Sequence, residues 1–266
     1  MQTSADSAAA PAAAPAGSIR FVLVGTQHTG NIGAAARALK TMGLARLALV
    51  APERRPDDEA YRRAAGATDV LDQAELHADL AAAVADCTLV LGCTARSRRV
   101  QLHEHAPRQA AAELVRAAAA GPVALVFGRE RTGLSNEELQ LCHAAVHIPA
   151  NPEYSSLNLA AAVQVLAYEL RLALLDAPVP AEPAPALASH AQMEGLFGQL
   201  AQALEDIDFH KGRAPDSAMR KLRRLFLRAA LDEKEVRLLR GILADAQRMA
   251  RLARAAGRDV GDIDLS

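Results

Sequence analysis

Tryptophan is absent from the 266 residues, and aromatic residues make up only 3% of them. That excludes a surface that grips nucleic acid chiefly by stacking bases on rings. Cysteine is sparse: Cys87, Cys93 and Cys142 show no C-x-x-C spacing. The count fits free thiols in a reducing compartment rather than a disulfide framework. No His, Cys, Asp or Glu cluster has metal-ligand spacing, so no metal is expected. No apolar run approaches membrane-spanning length, so no membrane association is expected either. An excess of charge of one sign is also lacking. Lys plus Arg number 30 against 31 Asp plus Glu, a formal net charge of -1. Any basic surface must therefore be local. The opening MQTSADSAAAPAAAPAGS has neither a basic start nor a Leu-rich core. It is not a secretory signal, and residues 1–17 read as a disordered Ala/Pro tail.

What is present is apolar material, 51% of the chain, in short runs. Runs at 19–24, 46–50, 88–91, 123–127 and 145–148 have the length and β-branched content of buried strands. Helical patterns alternate with them, from 31 to 42, over 72–85 and 107–120, and from 155 onward. Alternation of this kind predicts an α/β fold with a parallel, doubly wound sheet. Ligands in such sheets sit beyond the carboxyl ends of the strands. The loops at 25–33, 92–99, 128–133 and 149–156 all lie at such ends. Residues 53–58 read as a charged loop, and His103 and His105 as solvent-facing on either side of Glu104, on a loop or edge strand.

Two of these loops carry further signals. Ser135 with Glu138 three residues on makes a capping box. Ser155-Ser156-Leu157-Asn158 reads as the start of a long helix, whose unpaired N–H groups suit an anionic or polar ligand group. The glycines at 25, 30 and 33 fit neither common nucleotide loop. No Gly-Lys-Ser/Thr follows, so there is no Walker motif, and His28 stands where a dinucleotide fingerprint needs its first glycine. Glu53 could still accept a ribose hydroxyl, which keeps NAD binding as an alternative.

Residues 176–188, DAPVPAEPAPALA, form a Pro/Ala linker. The remainder, 189–266, is helical in pattern. Between 209 and 258 it holds fourteen Lys and Arg against five acids. That surplus suits a phosphate backbone. It equally suits a solvated helix face, because Val236, Leu239, Leu243 and Ala246 mark a side that packs.

Three segments, HTGNIGAAARALKTMGL at 28–44, FGRERTGLSNEEL at 127–139 and IPANPEYSSLNLAAAVQVLAYE at 148–169, resemble in order the motifs of the SPOUT class of RNA methyltransferases, in its 2′-O-ribose (SpoU-like) branch. NPEYSSLNLA is most similar to the TrmJ-type members, which methylate the ribose of nucleotide 32 in the tRNA anticodon loop. DFHKGRAPDSAMRKLRRLFLRAAL resembles that subfamily too. The resemblance implies a methyltransferase domain over 18–175 whose sheet ends in a trefoil knot, with 189–266 as a small all-helical extension contacting tRNA. It implies S-adenosyl-L-methionine as cofactor, tRNA as substrate, a homodimer whose two subunits build the active sites together, and a cytoplasmic location. An rRNA 2′-O-methyltransferase and an inactive RNA-binding protein are the alternatives.

The resemblance also implies site residues. Arg37 is placed at the target 2′-hydroxyl, Asn31 supports the loop or substrate there, and Ser156 matches a serine implicated in catalysis. The cofactor is expected among Cys93, Thr94 and Ala95, Gly128, and Ile148 with Ser155, Ser156 and Leu157. Gly128 would let backbone approach the ligand, and Ile148 would cover the adenine. Glu130 is expected to order the motif loop, and Arg96, Arg98, Arg99, Arg129 and Arg131 to meet phosphates.

Overall fold

Side chains of β1 (Ile19–Val24) alternate between two apolar layers, as strand geometry requires. Ile19, Phe21 and Leu23 enter one core cluster, and Val22 and Val24 the other. In the computed structural model the described residues are 15–95, 102–177, 187–211 and 215–256. Expectations for residues 1–14, 96–101, 178–186, 212–214 and 257–266 lie outside them, among these Arg96, Arg98 and Arg99, most of the tail and most of the linker.

β1 leads through α1 (Thr29–Thr41) to β2 (Arg46–Val50), then α2 (Asp58–Ala64), α3 (Thr68–Asp72), β3 (Glu75–His77), α4 (Leu80–Val84) and β4 (Leu89–Cys93). A two-residue β5 (Glu104–His105), α5 (Pro107–Ala118), β6 (Val123–Phe127), α6 (Asn136–Gln140), β7 (Ala144–Val146) and α7 (Leu159–Asp176) follow. The seven strands lie in the order β3-β2-β1-β6-β4-β7-β5 with every pair parallel. β1 to β3 build outward to one side of β6 and β4 lies on its other side, so the strand order reverses at β6. α1, α5 and α7 cover one face, where Ile32, Ala35, Ala36 and Leu39 of α1 are buried at helical spacing. α4 and the segment around Leu134 and Leu139 cover the other.

The sheet therefore matches the α/β expectation, with local corrections. The helix expected over 72–85 is instead α3, the edge strand β3 and α4, because Asp79 caps a fresh helix by accepting from the Ala82 N–H at 2.8 Å. The charged loop at 53–58 ends in a cap: Asp57 accepts from Glu59 and Ala60 and starts α2. α2 crosses α1 at Gly33, where a Cβ would stand 2.0 Å from the Ala60 carbonyl oxygen. His105 is not solvent-facing. Its side chain is 16% exposed and lies 3.0 Å from Glu113 of α5, because the edge strand turns it inward.

Arg20 is the one charged side chain of β1, 4% exposed and bidentate to Asp86 at 2.6 and 3.0 Å. Cys87 and Cys142 are buried and Cys93 half-buried, all three free, and burial pushes each thiol up to about 12.

Beyond residue 186 lie α8 (His190–Asp206), α9 (Pro215–Ala229) and α10 (Glu233–Ala255). Capping boxes at Ser189/Gln192 and Asp232/Glu235 start α8 and α10. A separate cluster of Ala188, Met193, Leu196, Phe197 and Val236 joins these helices, with Arg223 over the Phe197 ring at 4.5 Å. The helical unit touches the sheet domain: the His190 N–H donates to the Cys87 carbonyl at 2.7 Å, and the Ala191 N–H to that of Ala85 at 2.9 Å.

Candidate active site

Four neighbouring strands, β1, β6, β4 and β7, bring their carboxyl ends together. Leu23 and Cys93 both stand opposite Phe127, and Cys93 also opposite Val146. The Thr94 N–H continues the ladder to the Val146 carbonyl at 2.9 Å. The segments expected to form the site thus leave the sheet at one level.

The loop after β6 is closed on itself. Arg129 and Gly133 exchange backbone hydrogen bonds of 3.2 and 2.8 Å. The expected capping box is present: Ser135 Oγ accepts from the Glu138 N–H at 3.2 Å, and Glu138 Oε2 from the Ser135 N–H at 2.7 Å. Glu138 also holds the Arg129 guanidinium at 3.0 Å. At Gly128 a Cβ would lie 2.1 Å from the Gly133 carbonyl carbon and 2.2 Å from the Leu134 nitrogen, so the missing side chain lets this loop close on itself.

Glu130 joins this loop to the one after β1. Its Oε2 accepts from the Gln27 N–H at 3.0 Å, and its Oε1 from the His28 N–H at 3.2 Å and from Asn31 Nδ2 at 2.9 Å. Burial opposes the charge, but the Asn31 amide and these N–H groups outweigh it and hold the carboxyl below its ordinary value. Asn31 Oδ1 in turn accepts from Asn158 Nδ2 at 3.0 Å. A chain Glu130–Asn31–Asn158 therefore ties together the loops after β6, β1 and β7.

The helix start expected at residues 155–158 is corrected to Asn158. α7 begins at Leu159, and Asn158 Oδ1 accepts from the Ala160 and Ala161 N–H groups at 2.9 and 3.4 Å. Ser155, Ser156 and Leu157 precede the helix in extended loop. Their side chains make no hydrogen bond among the described residues, and Ser156 and Leu157 are exposed. Asn151 shapes the loop upstream by accepting from the Glu153 N–H at 3.1 Å. Ile148 is half-buried against the core.

Arg37 stands apart. It is exposed on α1, and its guanidinium makes no hydrogen bond or ion pair among the described residues. Six residues at 100° each leave its side chain about 120° around the helix from Asn31. A single chain therefore aims the two in different directions.

The strand ends thus offer apolar Ile148 and Leu157, the hydroxyls of Ser155 and Ser156, and the backbone of residues 93–95. That donor set suits a ligand joining an apolar ring to polar groups. The Asn158 cap and its link to Asn31 were not assigned from sequence. The signal was the Asn placed two residues before Ala160 at the head of an Ala-rich run.

Two families match the chain. One, described as the SpoU rRNA methylase family, covers residues 18–168. The other, described as the C-terminal domain of tRNA methyltransferase TrmJ, covers 191–255. The tRNA (cytidine/uridine-2′-O-)-methyltransferase TrmJ of Yersinia pestis (strain Pestoides F) is 48% identical over 235 residues, 86% of this chain and 91% of its own length. The protein of the same name from Salmonella typhimurium is 50% identical over 86% of this chain and 96% of its own. The crystal structure of TrmJ from Z. mobilis ZM4 superposes with a TM-score of 0.74 at 36% identity, covering 85% of this chain and 97% of that one.

Proposed function

The chain belongs to the SpoU rRNA methylase family, and from that membership we propose that it is a tRNA methyltransferase, taking a methyl group from S-adenosyl-L-methionine to the ribose 2′-hydroxyl of cytidine or uridine at position 32 of the anticodon loop. The observation that carries the reading is the chain Glu130–Asn31–Asn158, which draws the three motif segments to adjacent strand ends. The match of residues 191–255 favours tRNA over rRNA.

The cofactor supplies a methyl group on a sulfonium, a good leaving group, so the protein's part is positioning and charge. Residues 93–95, Ile148, Ser155, Ser156 and Leu157 would hold it, with Ile148 and Leu157 against the adenine and the serine hydroxyls on its polar groups. Gly128 contributes by closing its loop. Asn31, fixed from both sides by Glu130 and Asn158, keeps the substrate side of the site in shape. Arg37 orients the ribose and stabilises the negative charge that develops on the 2′-oxygen as its proton leaves.

An exposed Arg37 directed away from Asn31 fits a site completed by a second copy. Exposed Tyr154, Leu157, Tyr168 and Leu175, on the loop before α7 and on α7 itself, supply apolar surface for that homodimer. We infer the family's trefoil knot over the last part of the sheet domain as well. No described helix is long and apolar enough to cross a membrane. The tRNA substrate places the reaction in the cytoplasm. Exposed Arg220, Arg224 and Arg228, at i, i+4 and i+8 on α9, support a tRNA-contacting role for the helical extension.

The test is incubation of unmodified total tRNA with protein and cofactor, followed by mass-spectrometric mapping. The expected product is 2′-O-methylcytidine or 2′-O-methyluridine at position 32. Methylation of rRNA alone, or none with every cofactor-binding criterion met, overturns the reading.

A further inference from the structure

Where the helical unit meets the sheet domain, two histidines face each other, and neither takes part in the site above. His143, in the turn before β7, and His190, the first residue of α8, have ring centroids 6.5 Å apart at 57°. His143 Nδ1 accepts the Val90 N–H at 3.1 Å, which requires that nitrogen to be unprotonated. His190 is 2% exposed, and both its ring nitrogens lack a hydrogen-bond partner. Its own backbone N–H and that of Ala191 make the hydrogen bonds that dock α8 on the Cys87 and Ala85 carbonyls.

Every protonation event here is opposed. A proton on His143 Nδ1 would replace an accepted hydrogen bond with two facing donors. A proton on His190 would put a cation at the positive end of α8, beside the His143 ring and on a side chain that is itself buried. Other charged groups also face the pair. Glu194 of α8 lies 3.7 Å from His190 Nε2 and favours the proton, but it is already committed to Arg223 of α9, whose charge opposes it. Across the seam Asp86 is bound to Arg20.

We propose that His143 and His190 form a proton-sensitive latch, which keeps the helical unit docked on the sheet domain while both rings are neutral and releases it when they are charged. The inference starts from the docking geometry and holds whichever RNA is methylated. Burial first, and then the neighbouring His190, push His143 down to about 4, and burial lowers His190 as well. A ring whose docked value lies below its free value favours docking above the free value, near 6.5, and loses that contribution as pH falls toward the docked one. At pH 5.5 one such histidine weakens docking about tenfold relative to pH 7.5. Released, the basic helices are no longer held at a fixed distance from the strand ends.

Amide hydrogen exchange on the full chain tests this, with rates corrected for the intrinsic effect of pH. Protection of the His190 and Ala191 amides should fall at least about tenfold from pH 7.5 to 5.5, while amides of β1 and β6 stay protected. His190→Leu removes one titrating ring and keeps an apolar filler; His143→Gln keeps an acceptor for Val90 that does not titrate. His143→Gln should shrink the pH response by about tenfold, and His190→Leu should shrink it in the same direction. Equal protection at both pH values in the wild type overturns the latch, and that series needs no variant. So does a response that both variants retain in full, or one in which the β1 and β6 amides open in the same step.

Discussion

Glu130→Gln is the sharpest probe of the site, because it changes one atom and no volume. Three donors converge on the carboxylate: Gln27 N–H on Oε2, and His28 N–H and Asn31 Nδ2 on Oε1. A glutamine can keep its oxygen in the Oε1 position, but its NH₂ then faces the Gln27 N–H, donor against donor. The flipped amide is worse, leaving two donors facing it. At least one part-buried N–H is thus unpaired, at about 1–3 kcal/mol, and the remaining bonds lose their charge assistance. If the ordered loop is only marginally favoured, that loss appears as a fall in turnover of roughly 5–150-fold. Cofactor affinity should change far less, because Glu130 is not among the residues placed on the cofactor. Single-turnover methyl transfer on tRNA, with calorimetry for the cofactor, separates the two effects. Glu130→Ala, which removes both acceptor oxygens and so all three hydrogen bonds, should be at least as impaired. Turnover within about twofold of wild type in both variants would refute the argument that this carboxylate orders the site. The lowered carboxyl value sets the pH sign: its contribution is complete above the ordinary carboxylate range and is lost as pH falls through the lowered value.

Arg37→Ala should abolish methylation and leave cofactor affinity near wild type; calorimetry showing an equal loss of cofactor binding would make its role structural. Asn158→Asp should keep the α7 cap but put oxygen against Asn31 Oδ1, so thermal stability should hold while turnover falls, whereas Asn158→Ala should lose about 1 kcal/mol of stability as well. Equal stability of the two variants in a melting experiment would show that the cap does not matter. A chain ending at Asp176 should still fold, dimerise and bind cofactor, as checked by gel filtration and calorimetry. Its tRNA affinity should drop and its salt dependence flatten by roughly 0.7–0.9 in slope per lost phosphate contact; unchanged affinity and slope would remove the helical unit from tRNA binding.

The order of strands and helices was legible because β1, β2, β4 and β6 are buried on both faces and read as continuous apolar runs. β3 and β5 were not. They are short edge strands, with Glu75, His77, Glu104 and His105 in place of an apolar run, and their pairing is fixed by neighbours rather than by their own residues. In the site, the capping box at Ser135 and Glu138 could be read directly, since both partners are local. Glu130 is bound to residues about a hundred positions away, and Asn158 to one 127 positions away. Sequence spacing carries no trace of such pairs. The latch histidines were hidden for the same reason, being 47 residues apart with no motif around them.

The three cysteines, two buried and one half-buried, have a consequence for reactivity. Thiolate, not thiol, attacks maleimides, iodoacetamide and peroxide. With Cys87, Cys93 and Cys142 pushed up to about 12, almost none is ionised at neutral pH. The native chain should therefore resist oxidation and stay silent to alkylating labels while folded. A cysteine introduced at an exposed position, such as Arg220 on α9 or Arg62 on α2, would then react alone. The protein can accept one dye at a chosen place on either unit without first being stripped of its own sulfur.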